Sequence, residues 1–131
     1  MGSDTRLKEY GYGNHGFNKS TSITVADAET DELTVFTEKL NGTKEFYIVE
    51  TGGSNGLTYE VWGQCDWEMT ETTFEAHADE DQMILIKSAT TVAAGASDTV
   101  NWVQTYRRVK IRVKNTVGGS AATANIYFNG D

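Results

Sequence analysis

From Tyr106 to Thr116 the chain alternates between hydrophobic and polar residues. Val109, Ile111 and Val113 fall on one side, and Arg108, Lys110, Arg112 and Lys114 on the other. A period of two held over this length, rich in β-branched residues, predicts a strand with one face on a core and one in water. At the usual strand rise, the eleven residues from 106 to 116 would extend roughly 35 Å, the height of a small sandwich. Val117-Gly118-Gly119-Ser120 then forms a turn cluster, and Ala124, Ile126 and Phe128 alternate with Thr123, Asn125 and Tyr127. Together these stretches predict a long C-terminal β-hairpin.

The upstream chain carries the same signature. Strand patterns occur at Ser22-Ile23-Thr24-Val25, at 33–40, at 45–50 and at 57–62. Asn41-Gly42 and the Gly52-Gly53-Ser54-Asn55-Gly56 cluster separate the last three. Asn-Gly tolerates positive φ at both turn positions, so these signals predict an antiparallel meander from about residue 33 to 62. In its last strand Leu57, Tyr59 and Val61 share a face, with Thr58, Glu60 and Trp62 opposite. Met83-Ile84-Leu85-Ile86 is a short apolar run that fits a buried strand, and 99–103 is a further strand pattern. Val25-Ala26-Asp27-Ala28-Glu29-Thr30-Asp31 and Val92-Ala93-Ala94-Gly95-Ala96-Ser97-Asp98 both fit V-A-x-x-x-[S/T]-D. The echo is either chance or a pair of equivalent loops where the chain crosses between sheets. About eight strands and no convincing helical stripe predict an all-β, antiparallel two-sheet sandwich, jelly-roll-like, over residues 21–131.

Residues 1–20 break this rhythm. Tyr10-Gly11-Tyr12-Gly13-Asn14-His15-Gly16-Phe17 mixes glycines and aromatics without a period. It is either a flexible terminus or an extended arm that orders against a neighbour, with Tyr10, Tyr12 and Phe17 as interface anchors.

Composition narrows the chemistry. A chain of 131 residues suits one domain, and the absence of proline beside eighteen threonines and thirteen glycines leans towards strands and turns. No apolar run is long enough to cross a bilayer as a helix, and the first residues lack the apolar segment of a secretory signal, so no membrane partner is expected. One cysteine, Cys65, excludes an internal disulfide, and two histidines cannot assemble the usual Cys/His zinc site. The net charge of −8 argues against a nucleic-acid partner. Yet five of the eleven basic residues lie between Arg107 and Lys114. The row Arg108, Lys110, Arg112 and Lys114 is therefore either a solvated face paired with acidic cross-strand neighbours or an interface that docks an acidic surface.

Catalytic and metal-binding patterns are weak. Glu75, His77, Asp79 and Asp81 alternate and would project to one side of an extended chain, but the spaced ligands and pivotal glycine of a calcium loop are missing. Neither histidine stands in a nucleophile context, and no serine lies in a G-x-S-x-G turn. The expectation is a protein that is not an enzyme, with no catalytic residues, no metal and no cofactor. Trp62, Trp67, Trp102, Tyr59 and Tyr127 could supply a sugar-stacking platform, or else fill the core or a subunit interface.

Three segments carry a likeness to known proteins: Thr91-Val92-Ala93-Ala94-Gly95, the strand from Tyr106 to Thr116, and Gly119-Ser120-Ala121-Ala122-Thr123-Ala124 with Ile126-Tyr127. With the hairpin-like Gly52 to Gly63 stretch, they resemble small β-sandwich virion proteins of tailed viruses of bacteria and archaea. The resemblance spans about residues 20–129 and implies a structural role: a capsid decoration or minor head protein that binds and stabilises the particle surface. It further implies a virion location after assembly in the host cytoplasm, with the major capsid protein, other virion proteins or further copies of the chain as partners. The alternative expectation is a tail-associated or host-facing carbohydrate-binding sandwich.

Overall fold

Alternation decides which residues meet. In the strands Lys44–Glu50 and Leu57–Gln64, buried and partly exposed positions follow one another with a period of two, broken only at the last residue, Gln64, which is buried like Gly63 before it. Each strand therefore sends one row of side chains to a shared interior. The computed structural model describes residues 6–7, 17–51, 56–64, 83–115 and 120–131, with backbone alone for 6–7 and 17–19. These residues form nine strands: β1 (Arg6–Leu7), β2 (Phe17–Val25), β3 (Thr30–Phe36), β4 (Lys44–Glu50), β5 (Leu57–Gln64), β6 (Met83–Val92), β7 (Ser97–Trp102), β8 (Arg108–Lys114) and β9 (Ala122–Gly130). There is no helix among the described residues.

The strands make two sheets, β1-β3-β8-β5-β6 and β2-β9-β4-β7. Apart from the two-residue β1, which runs parallel to β3, every pairing is antiparallel. The eight long strands pair from the outside in: β2 with β9, β3 with β8, β4 with β7, β5 with β6. The chain is doubled about the β5–β6 connection and then rolled, and the β4–β9 and β5–β8 ladders close the roll. This is the all-β, jelly-roll sandwich that the alternation predicts.

The predicted hairpins are corrected. β3, β4 and β5 alternate between sheets rather than forming a meander, and β8 and β9 also lie in opposite sheets. Turn chemistry marks where a chain reverses, but not whether the next strand pairs with the last one or crosses to the facing layer. At the β3–β4 corner the reversal falls on Glu38-Lys39, with the Leu40 amide donating to the Thr37 carbonyl at 3.0 Å. Leu40 plugs that corner at 1% exposure, so the corner belongs to the core instead of a hairpin tip. Met83-Ile84-Leu85-Ile86 is a strand but not a buried one: β6 is an edge strand, and Ile84 and Leu85 are exposed. β2 also begins at Phe17, inside the stretch read as the arm, and pairs with β9 along its whole length.

The sequence echo is structural. The Val25–Asp31 and Val92–Asp98 stretches are both crossings between sheets, from β2 to β3 and from β6 to β7. Ala28 and Gly95, each three residues after the valine, have φ of 63° and 76°. The Glu29 amide donates to the Ala26 carbonyl at 3.0 Å, and the Ala96 amide to that of Ala93 at 2.9 Å. Carbonyls one residue after the positive-φ positions then accept from strand ends: Glu29 from Asn115 N–H at 3.0 Å, Ala96 from Glu50 N–H at 2.9 Å. Displacing every strand by four (β2 to β6, β3 to β7, β4 to β8, β5 to β9) turns one sheet order into the other, so the sandwich has an approximate internal two-fold.

The core lies between the sheets. Val109, Ile111 and Val113 face Ala124, Ile126 and Phe128 across a single buried cluster, which also holds Leu33, Val35, Leu57 and Val61. One end is aromatic: Phe46 meets Phe128 edge-on at 5.3 Å, and Trp102 packs on both. Lys44 is fully buried beneath that cluster, its Nζ donating to the Leu40 and Val103 carbonyls at 3.1 and 2.9 Å. Burial holds its pKa below the ordinary lysine value.

Candidate functional site

The roll leaves two outer faces of different chemistry. On the β8 sheet, β8 is central between β3 and β5, so its polar row meets polar rows on both sides. Glu32 and Glu60 both lie opposite Arg112. Arg112 pairs with Glu32 at 3.0 Å and with Glu60 at 3.6 Å. Lys110 Nζ sits 3.6 Å from the other oxygen of Glu32. The Arg108 Nε donates to the Gln64 side-chain oxygen at 2.6 Å, and its guanidinium lies over the Phe36 ring at 5.8 Å.

The row expected to stand together in water is therefore divided, which is a correction. Arg108 is 3% exposed and Lys110 0%, Arg112 is partly exposed, and Lys114 alone of the four is open to solvent. Alternation places the four side chains on the outer face of the sheet, as predicted. It says nothing of which part of that face is covered, and most of their charge is directed at partners within the chain. The pairing with Glu32 and Glu60 is that of a face set against acidic cross-strand neighbours, the first of the two expectations for this row.

At the seam between the sheets, Tyr59 of β5 reaches across the core edge. Its hydroxyl donates to Asp98 Oδ2 on β7 at 2.7 Å, and Lys87 of β6 approaches the same oxygen at 3.5 Å. Burial, then the bond to Asp98 and its charge, push the Tyr59 hydroxyl far above the ordinary tyrosine range. Burial alone would raise Asp98, but hydrogen bonds from Tyr59 and the Thr99 amide, with the nearby Lys87 charge, bring it below the usual carboxylate value. This is a clasp joining three strands, with every group occupied by another.

The β9 sheet presents the second face. Its outward rows are dominated by short polar side chains, and register aligns them into rungs across the strands. Ser20 lies opposite Tyr127, which lies opposite Tyr47, which lies opposite Thr99. The next rung runs Ser22, Asn125, Val49, Ser97. Tyr47 and Tyr127 pack against each other with ring centroids 5.8 Å apart, tilted by 34°. Beside them an open cleft of about 320 Å³ is lined by Ser20, Thr21, Ser22, Asn125 and Tyr127. Ser22 Oγ donates to Asn125 Oδ1, which fixes the amide plane. Glu45 is the one charged residue on the outward rows among the described residues of this face.

The aromatic stock is sorted by these faces. Tyr59 and Trp102 belong to the core, and Trp62 packs against Met83 on the outer face of the β8 sheet, its indole N–H buried without a partner among the described residues. Tyr127 is exposed, and its companion is Tyr47, which the sequence reading did not single out. Period two places Tyr47 opposite Phe46 and Ile48, and so outward. That it stands beside Tyr127 depends on the β4–β9 pairing, which joins strands far apart in sequence. Tyr10, Tyr12, His15, Cys65, Trp67 and the Glu75-His77-Asp79-Asp81 alternation lie outside the described residues, as does the Phe17 side chain. Among the described residues, no group of three or more metal-ligating side chains converges.

No protein-family model matches the sequence, and no curated protein does. Solved structures share the fold at low identity. The pre-peptidase C-terminal domain of a Bacillus anthracis collagenase is 11% identical with a TM-score of 0.59, over 95% of this chain and 92% of that one. CorA, a surface-associated copper-binding protein of Methylomicrobium album BG8, is 7% identical with a TM-score of 0.58, over 97% and 99%. PirA is 18% identical with a TM-score of 0.58, over 83% and 92%. At such identities the likeness is one of fold alone, which is the β-sandwich.

Proposed function

We propose that the chain is a structural protein of a virus particle, a capsid decoration or minor head protein that docks on the particle surface and stabilises it, without catalysis and without a cofactor. The observation that carries this reading is β1. The N-terminal segment lays Arg6 and Leu7 along the outer edge of β3, in parallel register with Thr34 and Val35. Beyond those two positions the edge of β3 has no strand beside it among the described residues. A bare strand edge is a template for pairing with another chain, and a segment that already reaches it is placed to pair in the same way with a neighbour. The eight-stranded jelly roll supports the reading by analogy, since viral capsid and lectin domains both use it. The partners are then the major capsid protein, other virion proteins or further copies of this chain.

The test is removal of residues 1–16, which leaves β2 to β9 intact. The truncated chain keeps a strand-type circular dichroism spectrum and loses occupancy when co-sedimented with particles. Unchanged occupancy refutes the role of this segment. A host-facing, carbohydrate-binding role is the second reading, and the Tyr47–Tyr127 pair on the β9 sheet favours it.

A further inference from the structure

The Tyr47 and Tyr127 rings pack against each other, tilted by 34°, on a part of the β9 sheet that is paired on both sides. Neither hydroxyl has a partner among the described residues, and the same holds for the Asn125 Nδ2 group and the Ser20 hydroxyl. The face offers aromatic surface, hydroxyls and a primary amide, with hardly any charge. Strand ladders hold these groups at fixed spacing, and Ser22 fixes the orientation of the amide.

Different ligands would ask for different surfaces. An acidic or basic partner needs complementary charge, and among the described residues the outward rows of this face carry Glu45 alone. A protein interface core favours large apolar and aromatic groups and is depleted in serine, whereas the cleft beside Tyr127 is walled by Ser20, Thr21 and Ser22. A neutral sugar matches both halves. Its axial C–H groups pack on an aromatic ring, and its hydroxyls both donate and accept in the plane beyond it. Two rings with centroids 5.8 Å apart offer a platform about the size of one sugar ring. The adjoining cleft of about 320 Å³ is of a size to take the next residue along a chain.

We propose that the outer face of the β9 sheet binds neutral carbohydrate, with Tyr47 and Tyr127 stacking on a sugar ring and Ser20, Ser22 and Asn125 hydrogen-bonding its hydroxyls. The inference deepens the second reading above and rests on it, while particle docking through β1 involves the other sheet and is measured separately. The probes are short uncharged oligosaccharides of glucose, galactose, mannose and N-acetylglucosamine, titrated into the full chain and followed by tyrosine fluorescence and amide chemical shifts. At least one binds, and its shift changes centre on Tyr47, Asn125 and Tyr127. Y127A and N125A each weaken that binding by roughly tenfold or more, equivalent to about 1.4 kcal/mol. Both positions face outward, so circular dichroism of the variants stays that of the parent, and K114E on the opposite face leaves the affinity unchanged. The proposal is overturned if no oligosaccharide of the panel binds, or if binding survives both substitutions. It is equally overturned if the face instead pairs two copies of the chain, seen as a concentration-dependent dimer that Y127R abolishes. Loss of sugar binding with intact co-sedimentation separates this site from the particle reading.

Discussion

Replacing Tyr59 by phenylalanine removes one hydroxyl and leaves the packing of the ring in the core unchanged. That hydroxyl donates to Asp98 at 2.7 Å, and the ring is 1% exposed. A hydrogen bond to a charged group contributes about 1.5–3 kcal/mol. Asp98 keeps the Thr99 amide and Lys87, and its side chain is 32% exposed, so water replaces part of what is lost. The lower end applies, about 1.5 kcal/mol, or a fall in Tm of roughly 6 °C for a domain of this size. The pH dependence separates this clasp from a packing defect. Asp98 has a folded-state pKa below its unfolded value, so its contribution is present above about pH 4 and is lost as pH falls through the folded pKa. Urea unfolding of the parent and Y59F at neutral pH and at a series of acid pH values should show the difference between them shrinking as the pH falls. A difference under about 0.5 kcal/mol at neutral pH, or one that does not change with pH, would refute the clasp.

The paired crossings give a reciprocal test. A28G should stabilise by about 0.5–1 kcal/mol because φ of 63° strains alanine, whereas G95A should cost about 1 kcal/mol through backbone strain alone, since nothing lies within 4 Å of the added methyl. Equal signs for the two in thermal unfolding would break the equivalence of the loops. G63A should cost about 1–3 kcal/mol, because a methyl there meets the Tyr106 ring at 2.8 Å and the ring must move. R108E should destabilise by about 3 kcal/mol or more as a reversed charge at a buried site, while K114E should change stability by less than about 0.5 kcal/mol. Similarly small losses for these two would mean that the basic row is uniformly exposed.

Sheet membership was hidden where strand character was plain, and one physical reason covers both. Alternation is local: Val109, Ile111 and Val113 reveal their shared face within seven residues, and the V-A-x-x-x-[S/T]-D echo marks both crossings. Pairing is non-local. β2 meets β9 across about a hundred positions, and no turn signal announces it. Asn41-Gly42 misled because its glycine serves a corner that pairs with the residue following β9, the Gly42 amide donating to the Asp131 carbonyl at 2.7 Å. The candidate site followed the same division. The basic row could be read as one face of a strand, but not as partly buried, since exposure depends on what lies over the β8 sheet. Tyr127 was visible as an outward aromatic, and Tyr47 beside it became visible only through the β4–β9 register.

The particle reading is tested most directly by quantifying this chain in purified virus particles by mass spectrometry against the major capsid protein. A decoration or minor head protein predicts a fixed copy number in simple ratio to capsid subunits, retained through density-gradient purification. Absence from particles, or a variable trace that washing removes, would contradict it.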